Sequence, residues 1–130
     1  MIFLLACTPV VELFEVALSG SVSSTTEGPV ALELAFGWVG DGSLRRPYGI
    51  IAEKELEGAG ELDWTLAVPT DGGEGLLLYG WQDLDRDGLY CGLGAAEEPA
   101  GLVELGEVVH QVEVTLVLDQ PCAAPEALFP

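Results

Sequence analysis

The feature that most constrains this chain is the recurrence of apolar residues at every second position. Between Val30 and Val39, the intervening positions are mostly small or charged, and one face carries Val30, Leu32, Leu34, Phe36 and Trp38. Because successive side chains of a strand point to opposite faces, a period of two predicts a half-buried β-strand rather than a helix. No stretch combines helical spacing with helix caps. The pattern therefore predicts an all-β protein.

The same alternation recurs along the whole chain. It is strong over residues 61–68 and 108–118, and weaker over residues 14–23, 48–56, 75–81 and 101–105. Turn-forming segments separate these runs, and the chain contains 17 Gly and 8 Pro. Seven short strands joined by turns predict an antiparallel β-sandwich over residues 13–122. Residues 123–130, which carry two prolines, are expected to form an irregular tail.

The first residues form a short apolar run that ends at Cys7. The run is too short for a membrane-spanning helix. The segment Leu4-Leu5-Ala6-Cys7 resembles the lipobox of bacterial lipoproteins, with a small residue directly before the cysteine. The resemblance implies that residues 1–6 are a truncated signal peptide and that residues 7–12 are a lipidated Cys7 and its tether. The absence of a basic residue is a departure from that pattern, and the alternative is an apolar strand with a buried free thiol.

This resemblance also implies a location. It places the protein in the cell envelope, at the outer membrane or the cell surface, in contact with the membrane through its lipid anchor only. Exported proteins use disulfides far more often than cytosolic ones, so Cys91 and Cys122 are expected to form a bridge. The alternative is two unrelated thiols.

The charge balance excludes one class of partner. The chain has 22 Asp and Glu against 4 Lys and Arg, which gives a net charge of −18. Nucleic-acid binding draws its affinity from Lys and Arg, so a nucleic-acid partner is excluded. Peripheral binding to anionic lipid is disfavoured for the same reason.

One acidic segment carries a chemically specific motif, Asp83-Leu84-Asp85-Arg86-Asp87-Gly88. Carboxylates at alternate positions followed by Gly are typical of a loop that folds around Ca²⁺. The predicted ligands are Asp83, Asp85, Asp87, the backbone carbonyl of Leu89, Glu97 and Glu98. Position twelve of the loop is Gly94 rather than Glu, so the loop is not an EF-hand. The alternative is a solvated acidic turn.

The order of elements around this loop supports a second resemblance. A strand at 60–69, a strand at 75–81, the acidic loop and a valine-rich closing strand are similar to the transthyretin-like (prealbumin-like) sandwich domains of bacterial surface proteins. The resemblance covers residues 14–119. It is a resemblance in architecture, to a transthyretin-like or immunoglobulin-like sandwich, and it implies a binding or structural module. Hydroxyisourate hydrolase, an enzyme of that superfamily, uses more than one His and a C-terminal Tyr-Arg-Gly-Ser. This chain has one His and ends at Pro130 without that motif, so the hydrolase activity is not implied.

The function expected from the sequence is therefore a non-enzymatic, calcium-stabilised lipoprotein module that binds a protein or a glycan. His110 falls on an apolar face and no serine has a nucleophile-elbow context, so both are interpreted as structural. Tyr79 and Trp81 share a face with Leu77, at the rim of the core or on a sugar-stacking platform. Three alternatives remain: an acidic hydrolase using Glu or Asp, a carbohydrate-binding module using Tyr79 and Trp81, and a soluble module from a salt-rich habitat.

Overall fold

The computed structural model describes residues 12–40, 43–69, 75–84 and 98–121, with side chains described outside residues 38–49. Every regular element in these ranges is a strand, so none of them contains a helix long and apolar enough to cross a membrane. The strands are Leu13–Ser24 (β1), Val30–Gly40 (β2), Ser43–Leu56 (β3), Gly60–Pro69 (β4), Gly75–Gln82 (β5), Pro99–Gly106 (β6), Gln111–Leu118 (β7) and Gln120–Pro121 (β8). The predicted all-β class is confirmed.

The strands form two sheets. One has three strands in the order β4-β1-β7, and the other has five in the order β3-β2-β5-β6-β8. Adjacent strands are antiparallel with one exception, since β1 and β7 run in parallel with Leu18 opposite Val112. The first and last long strands therefore lie side by side, although about ninety residues separate them in the chain.

The core lies between the two sheets and is built from the alternating faces that the sequence predicts. On β2, Val30, Leu32, Leu34 and Phe36 are all buried in one cluster, and on β7 the even positions from Val112 to Leu118 join them. The odd positions of β7 are exposed. Trp64 of β4, on the apolar face of the alternating run 61–68, is partly buried and packs against the same cluster. Burial of one face of each sheet against the other is what makes the sandwich stable.

The last long strand is shorter than its sequence pattern. It begins at Gln111 rather than at Val108, and the preceding His110 is exposed. The imidazole of His110 stacks on Phe14 with ring centroids 4.0 Å apart, and its Nδ1 lies 2.9 Å from the carbonyl oxygen of Glu15. His110 is thus a surface residue whose contacts connect the start of β7 to β1. This agrees with the interpretation of His110 as a structural residue.

Candidate functional site

The candidate site lies at the end of the sandwich where β5 leaves its sheet and β6 enters it. The acidic segment starts directly after β5, and the amide of Asp83 donates a hydrogen bond to the carbonyl oxygen of Pro29 (2.9 Å). Both Asp83 and Leu84 are half-buried. The segment returns at Glu98, immediately before β6. Because β5 and β6 are paired neighbours, the two ends of residues 83–98 lie at one edge of the sandwich.

Glu98 joins the two ends of this segment. Its side chain has no solvent exposure, and its Oε2 accepts a hydrogen bond of 2.8 Å from the backbone amide of Leu84. A carboxylate is costly to bury and is found inside proteins when hydrogen bonds or charges stabilise it. The hydrogen bond therefore joins Leu84, at one end of residues 83–98, to Glu98 at the other end.

Gln82 holds the same end of β5 from inside the sandwich. It is also fully buried, and its Oε1 accepts hydrogen bonds from the hydroxyls of Ser24 (2.7 Å) and Thr26 (2.6 Å). Its Nε2 donates to the carbonyl oxygens of Thr26 (3.0 Å) and Gly28 (3.2 Å). The amide uses both of its donor hydrogens and both acceptor positions, as buried polar groups require. Gln82 fixes the β1–β2 turn against the start of the acidic segment.

The sequence did not identify Gln82 as important. A signal for it exists, because Gln82 occupies the inward-facing register of β5, which otherwise carries Leu76 and Leu78. A single amide among apolar inward positions is a polar group that must find buried partners.

The predicted calcium ligands fall into two groups. Asp83 and Glu98 are described and lie at the base of the loop, whereas Asp85, Asp87, Leu89 and Glu97 lie outside the described residues. Within the described ranges, no group of three His, Cys, Asp or Glu side chains comes together around a metal-sized space. The three cysteines, Cys7, Cys91 and Cys122, also lie outside those ranges. The calcium ligands and the disulfide therefore stay predictions.

The aromatic pair of β5 lies on the face opposite the core cluster. Leu77 and Tyr79 are only 1% and 5% exposed, whereas Trp81 is half-buried. The three residues share a face, as predicted, and Leu77 and Tyr79 are buried, but that face is opposite the core cluster rather than at its rim. Trp81 lies two positions before Asp83, the first residue of the acidic segment.

Comparison with known proteins does not assign the chain to a family. No protein-family model matches it, and neither a curated protein nor a solved structure matches it at a significant level. The functional argument therefore depends on the residues of this chain.

Proposed function

We propose that the chain is a calcium-stabilised, non-enzymatic module of the cell envelope, with a binding or structural role. The observation that carries the proposal is the buried Glu98 carboxylate. It accepts a hydrogen bond from the Leu84 amide and so joins the two ends of the acidic segment. An all-oxygen set of carboxylates and a backbone carbonyl suits a hard cation, and Asp residues at alternate positions followed by Gly are typical of Ca²⁺ sites. The calcium ligands we propose are Asp83, Asp85, Asp87, the Leu89 carbonyl, Glu97 and Glu98.

Bound Ca²⁺ would offset the mutual repulsion of these carboxylates in a chain of net charge −18. The ordered loop would then form a fixed surface at the β5–β6 end for a protein or glycan partner. The order of predicted strands around the acidic segment resembles the transthyretin-like sandwich domains of bacterial surface proteins. That resemblance supports a binding or structural role.

Thermal unfolding with and without calcium tests the metal site. The expected result is a rise in Tm of about 10 °C on going from EDTA to Ca²⁺ at a hundred times its dissociation constant, because that excess adds ~2.7 kcal/mol. Asp85→Ala and Glu98→Gln should remove most of the shift. The matched control is Glu113→Gln, which removes the same charge as Glu98→Gln from an exposed position on β7 and should keep the shift. An equal Tm in EDTA and Ca²⁺ would make the segment a solvated turn.

We further propose that Cys7 carries the lipid anchor and that Cys91 and Cys122 form a disulfide. The lipobox-like segment supports the first, and an even pair of cysteines in an exported chain supports the second. The intact mass of protein extracted from bacterial membranes tests both, because acylation adds mass and a disulfide removes two hydrogens. Cys7→Ser should release an unlipidated protein. An unmodified Cys7 in membrane-extracted protein, or three alkylatable thiols, would contradict the respective proposal.

A further inference from the structure

The outer face of the five-stranded sheet carries a groove that the calcium proposal does not use. The registers of β2 with β3 and β5 place its residues in two neighbouring rows across three strands. One row is Glu55, Ala31 and Trp81, and the next is Glu53, Glu33 and Tyr79. In the first row the small Ala31 side chain stands between a carboxylate and an indole, so a hollow forms above it.

The hollow is large enough for an organic group. The groove along these rows has a volume of about 400 Å³, and a neighbouring pocket of about 170 Å³ extends it toward Pro29. Both spaces are lined by Ala31, Glu55 and Trp81. Since neighbouring strands are about 4.8 Å apart, Glu55 and Trp81 are separated by roughly 10 Å at the backbone. A single ammonium or guanidinium group fits between their side chains.

The charge of this groove favours a cation. Glu33, Glu53 and Glu55 line it together with one basic residue, Lys54. Glu33 and Glu53 are direct cross-strand partners, an arrangement in which like charges destabilise a sheet. Glu53 and Glu55 are both exposed, so a ligand can reach their carboxylates from solvent. The exposed carboxylates of Glu53 and Glu55 attract a cation from solvent.

Trp81 favours an organic cation over a metal ion. Indole is the aromatic group that attracts a cation most strongly through its face, and the contact improves when the cation is a weakly hydrated ammonium or guanidinium. A small divalent ion instead needs several oxygen ligands and gains nothing from an indole.

We propose that this groove binds an organic cation of the alkylammonium or guanidinium class, held between Trp81 and the carboxylates of Glu53 and Glu55. The shared chemistry is a protonated amine or guanidine on an aliphatic chain. It can come from a basic side chain of a partner peptide or from a free polyamine. The groove itself is lined by no proposed calcium ligand, although its extension toward Pro29 reaches Asp83.

Titration calorimetry on the full chain tests the proposal, in buffer with millimolar Ca²⁺ so that the acidic segment is not the site measured. The two probes are spermidine and an acetylated, amidated peptide with one Arg and one Lys between glycines. Trp81→Leu and Glu55→Gln should each weaken binding about fivefold. Glu113→Gln removes one equal charge from the exposed face of the other sheet and should weaken it less than about twofold. Tighter binding of the peptide would identify a basic side chain as the source of the cation. Tighter binding of spermidine would identify a polyamine as the source. Either result supports the site.

A second measurement does not depend on how well the variants fold. In wild-type protein the indole N–H resonance of Trp81, assigned by its loss in Trp81→Leu, should shift on saturation with either probe, while that of Trp64 on the other sheet should not. Equal weakening by Glu55→Gln and Glu113→Gln would show that the acidic protein attracts cations without a site. An unmoved Trp81 resonance at saturating probe would overturn the proposal outright.

Discussion

Replacing Gly20 by Ala is expected to lower the free energy of unfolding by about 4 kcal/mol and the Tm by roughly 15 °C. Gly20 lies in the middle of β1, the strand that holds the three-stranded sheet together. Its φ is +150°, which L side chains rarely adopt, and a Cβ there would collide with the carbonyl oxygen of Val114 on β7. The strand must move or lose its pairing with β7, and either change separates the parallel pair that joins the two ends of the chain.

Gly58→Ala is the control for this substitution. Gly58 lies in the turn between β3 and β4, and the atom nearest to an added Cβ is the carbonyl oxygen of Gly28 at 3.8 Å, an ordinary contact. Its change in stability should stay within about 0.5 kcal/mol. Chemical denaturation followed by circular dichroism measures both variants. A Gly20→Ala protein as stable as wild type would mean that β1 and β7 are not as close as the register places them.

The pairing of β1 with β7 also shows where sequence reasoning ends. The alternation of Val16 and Leu18 with polar residues identifies β1 as a strand and gives its buried face. Alternation contains no information about which strand lies beside it, because the same face would be buried with any neighbour. The parallel pairing depends on where the whole chain returns, so the antiparallel sandwich was predicted and its one parallel pair was not.

Strand β3 illustrates a different limit. The sequence predicts a strand from Tyr48, but β3 begins at Ser43 and includes Arg45-Arg46-Pro47. Two charges followed by a proline oppose a strand in the middle of a sheet. β3 is the edge strand next to β2, and an edge tolerates both proline and charge because one side of its backbone pairs with no neighbour in the sheet. The position of β3 at the edge of the sheet allows residues 43–47 to form part of the strand, and the local sequence contains no information about that position.

The spacing of the Asp residues and the later Glu98 predict oxygen donors within one segment, and the calcium site itself stays a prediction. The structure adds the hydrogen bond from the Leu84 amide to Glu98, which joins the two described ends of that segment. Spacing alone gives no reason why Glu98 should be buried. Its burial follows from β6, since Glu98 directly precedes Pro99, the first residue of the strand paired with β5. The support that Gln82 gives from inside was missed because its partners lie more than fifty residues away.

Removing the Gln82 amide is expected to cost about 3 kcal/mol of stability and roughly 10 °C of Tm. In Gln82→Leu the volume is nearly kept, but the hydroxyls of Ser24 and Thr26 lose their acceptor, and two turn carbonyls lose their donor. Each hydrogen bond contributes about 1 kcal/mol net, and burial makes the loss of a partner worse. Thr26 is exposed, so water can replace the hydrogen bonds that Thr26 loses. The expected loss of stability is therefore smaller than the contribution of four full hydrogen bonds.

The matched control is Gln120→Leu, because Gln120 is exposed and its amide contacts only the neighbouring Asp119 (3.2 Å) among the described residues. Its stability should change by less than about 0.5 kcal/mol. Urea unfolding of both variants separates the loss of a buried network from the general effect of replacing an amide by an apolar side chain. If Gln82→Leu were as stable as wild type, apolar packing at this position would be equivalent to the hydrogen bonds. The end of β5 would then be held by the sheet alone, and the acidic segment would need no buried support from the turn between β1 and β2.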